Sequence, residues 1–240
     1  MFKRLIIFTS FAVLMIFAAA TVEAQAPTSF AYGDVVQGEL TADVTAIDYT
    51  LTAAKGDIVV LDMRRVKDSQ LYLTAIVVKD ASGNEIVNTT EDTNANNTVA
   101  GFTADTDGDY TVTATRNKYT DSTGAFELRA TAAKLLQSGD SIKGLVTNKS
   151  ADMYYALPAD TDVKIAYTQT TGDYYLYFRV EVLDSKYTSS LSASSTAIKG
   201  ITWTVGLKTE ADYITIVSVG ASADDYQNNL VSSKFTLDVE

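Results

Sequence analysis

The chain has 240 residues but no cysteine, no histidine and two prolines, Pro27 and Pro158. Without cysteine there is no disulfide and no thiolate, so hydrophobic cores must hold the fold. Without histidine the commonest general base and the commonest zinc ligand are missing, along with every Ser-His or Cys-His arrangement. These absences point away from an enzyme. Two prolines are too few for a long proline-rich stalk. Basic residues are also in short supply: 19 Lys and Arg face 30 Asp and Glu, for a net charge of −11. A surface of that sign repels nucleic acid and anionic lipid, which excludes a nucleic-acid partner. Helical periodicity is almost absent.

The first residues read as an export signal. Lys3 and Arg4 form a basic start, Leu5 to Ala20 is apolar apart from Thr9 and Ser10, and Ala24 and Ala26 offer small-residue cleavage positions. This predicts a secretory signal peptide over residues 1–26 and a secreted or extracytoplasmic protein, at the cell surface or in the periplasm. Its apolar run falls short of the ~20 residues of a membrane span. No later stretch is a candidate, so no span is expected once the signal is removed. Losing Lys3, Arg4 and Glu23 makes the chain one unit more acidic.

What is present is a repeat. Gly33-Asp34-Val35-Val36-Gln37-Gly38 recurs as Gly139-Asp140-Ser141-Ile142-Lys143-Gly144. Further blocks follow at a nearly constant offset. Asp48-Tyr49 matches Asp152 to Tyr155, Ile58 to Asp62 matches Val163 to Tyr167, and Leu71 to Lys79 matches Tyr175 to Leu183. Asp109-Tyr110 matches Asp212-Tyr213, and Phe126-Glu127-Leu128 matches Phe235-Thr236-Leu237. The pattern between turns has a period of two, as in Ala46 to Ala53, and turn signals recur every 8–12 residues. Ile58 to Met63 is almost continuously apolar, as expected of a strand buried on both faces. Asp80-Ala81-Ser82-Gly83-Asn84 reads as a turn with Gly83 at positive φ. The Ser185 to Ser195 tract reads as a solvated loop. The expectation is an all-β chain of two tandem antiparallel β-sandwiches, residues 27–131 and 132–240, each near 100 residues, the usual size of such a domain.

The first repeat resembles a known family. Gly-Asp-x-x-x-Gly is followed by Asp-Tyr-Thr-Leu, Ala-Lys-Gly-Asp, a strand ending in Asp-Ala-Ser-Gly-Asn, then Asp-Gly-Asp-Tyr-Thr-Val and Gly-Ala-Phe-Glu-Leu. This series is similar to the bacterial pre-peptidase C-terminal domain, a jelly-roll-like β-sandwich found beside secreted proteases and in other exported proteins. The second repeat is degenerate: it lacks the Asp-x-x-Gly turn after Asp184, and Ala211 stands where the motif has glycine. The resemblance implies an accessory or binding module. Relatives bind collagen or carbohydrate, and some hold calcium in acidic loops.

Two candidate sites follow. Asp105, Asp107 and Asp109 space three carboxylates along one turn, with Asp92 in the loop before, and calcium needs six to eight such oxygens. The same residues also make an ordinary acidic hairpin turn. Tyr175, Tyr177 and Arg179 share one strand face. They can form a stacking platform for a sugar or partner, a second sheet face, or the contact between repeats. Trp203 is expected in the core. The function expected is an exported, non-enzymatic binding or accessory protein that contacts a polysaccharide or protein partner at the cell surface. The alternative is a structural surface-layer or adhesin-type subunit. Oligomeric state is left open.

Overall fold

The computed structural model describes residues 27–92, 97–147, 152–172, 176–184, 190–196 (backbone), 199–221 and 232–240. Residues 1–26, expected to be a signal peptide, lie outside them. The described residues form eighteen strands and no helix. The first nine are β1 (Thr28–Phe30), β2 (Val35–Leu40), β3 (Ala46–Ala53), β4 (Ile58–Arg65), β5 (Thr74–Lys79), β6 (Glu85–Asn88), β7 (Thr98–Thr103), β8 (Gly108–Arg116) and β9 (Gly124–Ala132). The second nine are β10 (Lys134–Leu135), β11 (Ser141–Thr147), β12 (Met153–Ala156), β13 (Asp162–Thr171), β14 (Tyr177–Leu183), β15 (Ser190–Thr196), β16 (Thr202–Lys208), β17 (Ile214–Gly220) and β18 (Ser232–Val239).

These strands build four sheets. Sheet I has the order β1-β3-β8-β5-β6 and sheet II the order β2-β9-β4-β7. Sheet III (β10-β12-β17-β14-β15) repeats the order of sheet I, and sheet IV (β11-β18-β13-β16) repeats that of sheet II. The chain is thus two tandem β-sandwiches of identical strand order, as the repeated sequence blocks lead one to expect.

The repeated hexapeptide explains its own recurrence. Gly33 and Gly139 adopt φ of 88° and 90°, a region that costs glycine little. The following aspartate closes the turn: Asp34 accepts the Ala31 N–H at 2.9 Å and Asp140 the Gln137 N–H at 3.0 Å. The last glycine of each copy sits under an aromatic ring. A Cβ on Gly38 would lie 2.6 Å from Phe126, and one on Gly144 would collide with Phe235. This motif is a strand-entry turn and a ring seat.

Burial shows how the layers stack. One apolar core lies between sheets I and II, around Tyr49, Leu61, Tyr110 and Phe126. Another lies between sheets III and IV, around Phe178, Tyr167, Val217 and Phe235. A third, smaller cluster joins Val60 of sheet II to Tyr154, Ala156, Leu183 and Ile216 of sheet III. β4 is therefore buried on both faces, whereas its counterpart β13 alternates between exposed and buried. β17 is likewise covered on both sides, whereas its counterpart β8 alternates. The molecule is a four-layer stack, I-II-III-IV, with the outer faces of sheets I and IV open.

The sheets are antiparallel apart from two short edge strands, since β1 pairs in parallel with β3 and β10 with β12. The lead-in at Pro27 to Tyr32 thus contributes a short strand. Part of the serine tract is a strand: β15 pairs with β14, and residues 185–189 lie outside the description. Trp203 is half-buried and meets Phe178 edge-on, with ring centroids 5.9 Å apart. Gly83 takes φ of 84°, as expected.

Candidate functional site

Three places gather polar chemistry, and the first is the junction between the sandwiches. Along β4, Ile58, Val60, Asp62 and Arg64 point away from the first core and toward sheet III. The Arg64 guanidinium bonds Asp62 through Nε (2.9 Å) and reaches Asp152 of the second repeat at 2.5 Å. The Tyr154 hydroxyl donates to Asp62 at 2.9 Å, and the Tyr177 hydroxyl donates to Asp152. Asp62 is 2% exposed and Asp152 6%. Burial pushes the Tyr154 and Tyr177 phenols far above their ordinary range, and the adjacent carboxylates add to this. Burial pulls the Arg64 guanidinium down, but the charges of Asp62 and Asp152 outweigh that and hold it well above its usual value. Two buried carboxylates, each held by Arg64 and a phenol, suit fastening better than proton transfer. Sequence reading missed this cluster because its members come from different repeats. Asp62 in an otherwise apolar strand was the available signal.

The second place is the acidic turn. Asp107 accepts the Lys55 N–H at 2.7 Å, and Asp109 accepts the Thr52 hydroxyl at 2.6 Å. The Tyr110 hydroxyl closes the turn on the Thr106 carbonyl at 2.9 Å. Asp92 is 5% exposed, and its carbonyl accepts a bond from the Asn117 amide. Asp105 is exposed in the turn, between buried Ala104 and exposed Thr106. Among the described residues, no three acidic side chains come together as a group able to hold a metal ion. The turn is accounted for by its own hydrogen bonds.

Of the aromatic strand, Tyr175 lies outside the described residues. Tyr177 and Arg179 do come together: the guanidinium lies 4.0 Å from the ring centroid. Their strand neighbour Glu181 is 6% exposed and accepts the Ser218 hydroxyl at 2.7 Å. With the Tyr177 hydroxyl on Asp152, this face of β14 belongs to the sheet that meets the first repeat.

The third place was not singled out from the sequence. An open depression of about 460 Å³ lies on sheet IV, lined by Asp162, Lys164, Gly206, Lys208 and Glu240 among others. Lys164 is ion-paired with Glu240. Gly206 is one of its lining residues, and among the described residues a Cβ there would meet nothing within 4 Å. Isolated surface charges on alternating strands gave no sequence signal for it.

No family model matches the chain, and no curated protein matches it. Among solved structures, the chain is similar to the pre-peptidase C-terminal domain of a Bacillus anthracis collagenase, at 17% identity and a TM-score of 0.37, over 45% of this chain and 97% of that one. It is also similar to the N-terminal CBM22-1-CBM22-2 tandem domain of Paenibacillus barcinonensis Xyn10C, at 9% identity and a TM-score of 0.27, over 87% of this chain and 91% of that one. The ANXUR2 extracellular domain of Arabidopsis thaliana matches at 5% identity and a TM-score of 0.24, over 85% of this chain and 83% of that one. Likenesses of this size assign neither family nor activity. Among the described residues, no helix is long and apolar enough to cross a membrane.

Proposed function

We propose that this chain is an exported, non-enzymatic binding or accessory module that contacts a polysaccharide or protein partner at the cell surface. The polar groups best suited to chemistry, Asp62, Asp152, Tyr154 and Tyr177, are used up in joining the two sandwiches. What is left for a partner is surface. The observation that carries the reading is the open depression on sheet IV, where Lys164, Lys208 and Gly206 are among the lining residues. Lysine stems supply apolar contact, and their ammonium groups hydrogen-bond to hydroxyl, carboxylate or carbonyl oxygens.

The test is an array of surface glycans and proteins probed with the chain, with and without calcium. Capture by the wild type that drops about tenfold in the double variant Lys164→Ala/Lys208→Ala supports the reading; one lost contact of ~1.4 kcal/mol suffices for that ratio. Calcium is expected to make no difference. An array with no captured partner removes the reading and leaves a structural subunit.

A further inference from the structure

The depression has a counterpart that is filled. The ladders align the two sandwiches position by position. In sheet II, Val60 pairs with Gly101; in sheet IV, Lys164 pairs with Gly206. The two glycines therefore occupy the same place in the repeated fold. At Gly101 a Cβ would lie 2.6 Å from Cδ1 of Leu183, which reaches across from sheet III. That Cβ would also lie 2.7 Å from the Val59 carbonyl of the same sheet, so the glycine both fits its own sheet and leaves room for the second repeat. At Gly206 a Cβ would touch nothing among the described residues, and φ there is not positive. A glycine inside an edge strand weakens it and often marks a close approach by another backbone or ligand. Nothing among the described residues accounts for Gly206, yet the position is the one that seats a neighbouring sandwich at Gly101.

We infer that the depression at Gly206 seats a second copy of this chain, stacked head to tail in the way the second repeat stacks on the first. This rests on reading the depression as a contact site, and it names the partner. The incoming face is sheet I of the next copy. Charge supports that choice. The outer face of sheet I carries Asp48, Asp109 and Glu85 against Lys79. The outer face of sheet IV carries Lys143, Lys164, Lys208 and Lys234 against three acids, in a chain whose net charge is −11. Both faces are threonine-rich, with Thr50, Thr111 and Thr113 on one and Thr168, Thr202 and Thr204 on the other. A polar contact of this kind is weak and salt-sensitive. It is also heterologous: each added copy leaves a fresh sheet IV exposed, so the stack grows without closing.

Sedimentation velocity on residues 27–240, over a wide concentration range, tests this. The average mass is expected to rise past the dimer with concentration and to fall as salt is added. Gly206→Val is expected to weaken association about tenfold or more while the melting temperature holds or rises, since valine favours a strand and its Cβ meets none of the described residues there. That opposite movement separates a blocked contact from a folding defect. Lys208→Glu is expected to weaken association as well. A single monomeric species at every concentration overturns the inference, as does unchanged association in Gly206→Val. If the wild type stays monomeric but an arrayed glycan or protein is captured and lost in Gly206→Val, the second-copy partner is wrong and the contact-site reading stands.

Discussion

The two sandwiches share strand order but differ in the faces they turn outward. On sheet III, Tyr154, Ala156 and Ile216 meet the first repeat; the same ladder positions on sheet I hold Asp48, Thr50 and Thr111. On sheet II, Ile58 and Val60 are covered; the same positions on sheet IV hold Asp162 and Lys164. Some inward-facing residues keep their character, with Tyr49 answered by Tyr155 and Phe126 by Phe235. One blueprint thus serves as an inner or an end layer according to which outer face is apolar. Terminal repeats in stacked proteins carry polar caps for the same reason.

The sharpest way to break this comparison is at Arg64. Its ladder counterpart in the second repeat is Thr168. Removing Arg64 as Arg64→Ala leaves two buried carboxylates without their cation, and we expect a loss of about 3 kcal/mol in chemical denaturation. Thr168→Ala should stay within about 0.5 kcal/mol, as exposed substitutions usually do. Equal effects would mean that the junction contributes no more than an end face.

Alkaline titration sharpens the same point. The phenols of Tyr154 and Tyr177 are held far above the ordinary value in the folded chain. Both are protonated in the folded and unfolded chain below about pH 10, so their contribution is fully present there. Above that pH the unfolded chain loses the protons first, and stability declines as pH rises toward the folded values. Melting temperatures measured from pH 8 to 11 should therefore fall at the upper end, and less steeply in Tyr177→Phe. A flat profile would count against a buried pair of phenols.

Next in size is Gly101→Val. It drives a side chain into Leu183 and the Val59 carbonyl, and should cost roughly 1–3 kcal/mol, as overpacking does. The smallest effect expected concerns a difference inside the cores. The Tyr167 hydroxyl is buried with no hydrogen-bond partner among the described residues, and its ladder counterpart is Met63. An unpaired buried hydroxyl costs about 1 kcal/mol or more, so Tyr167→Phe should raise the denaturation midpoint by about that amount. A loss of stability would show that the hydroxyl is satisfied in solution.

Much of this architecture was legible in the sequence for local reasons. The strand-entry turn needs glycine and aspartate at fixed places, so both copies kept them. Ile58 to Met63 announced double burial by lacking polar alternation. β1 and β10 were too short to show a period, and β15 was hidden by serines that read as loop. Register was harder. Matched by sequence, Val180 and Val182 stand for Ile76 and Val78, but the ladders place Phe178 and Val180 there. A slip of two residues preserves the facing of every side chain, so the alternation cannot reveal it. Of the junction cluster, only Tyr177 reads in the sequence as a candidate contact between repeats. Asp62 and Arg64 look like ordinary charges until Asp152, Tyr154 and Tyr177 are folded against them.

The passage from one sandwich to the next leaves no slack. β9 ends at Ala132 and β10 starts at Lys134, and the intervening Ala133 bonds its N–H to Ile58 while its side chain joins the junction cluster. Stacked sheets lie about 10 Å apart, so the first and fourth are held about 30 Å from each other. Anything bound at one end face would therefore sit at least about 30 Å from anything bound at the other.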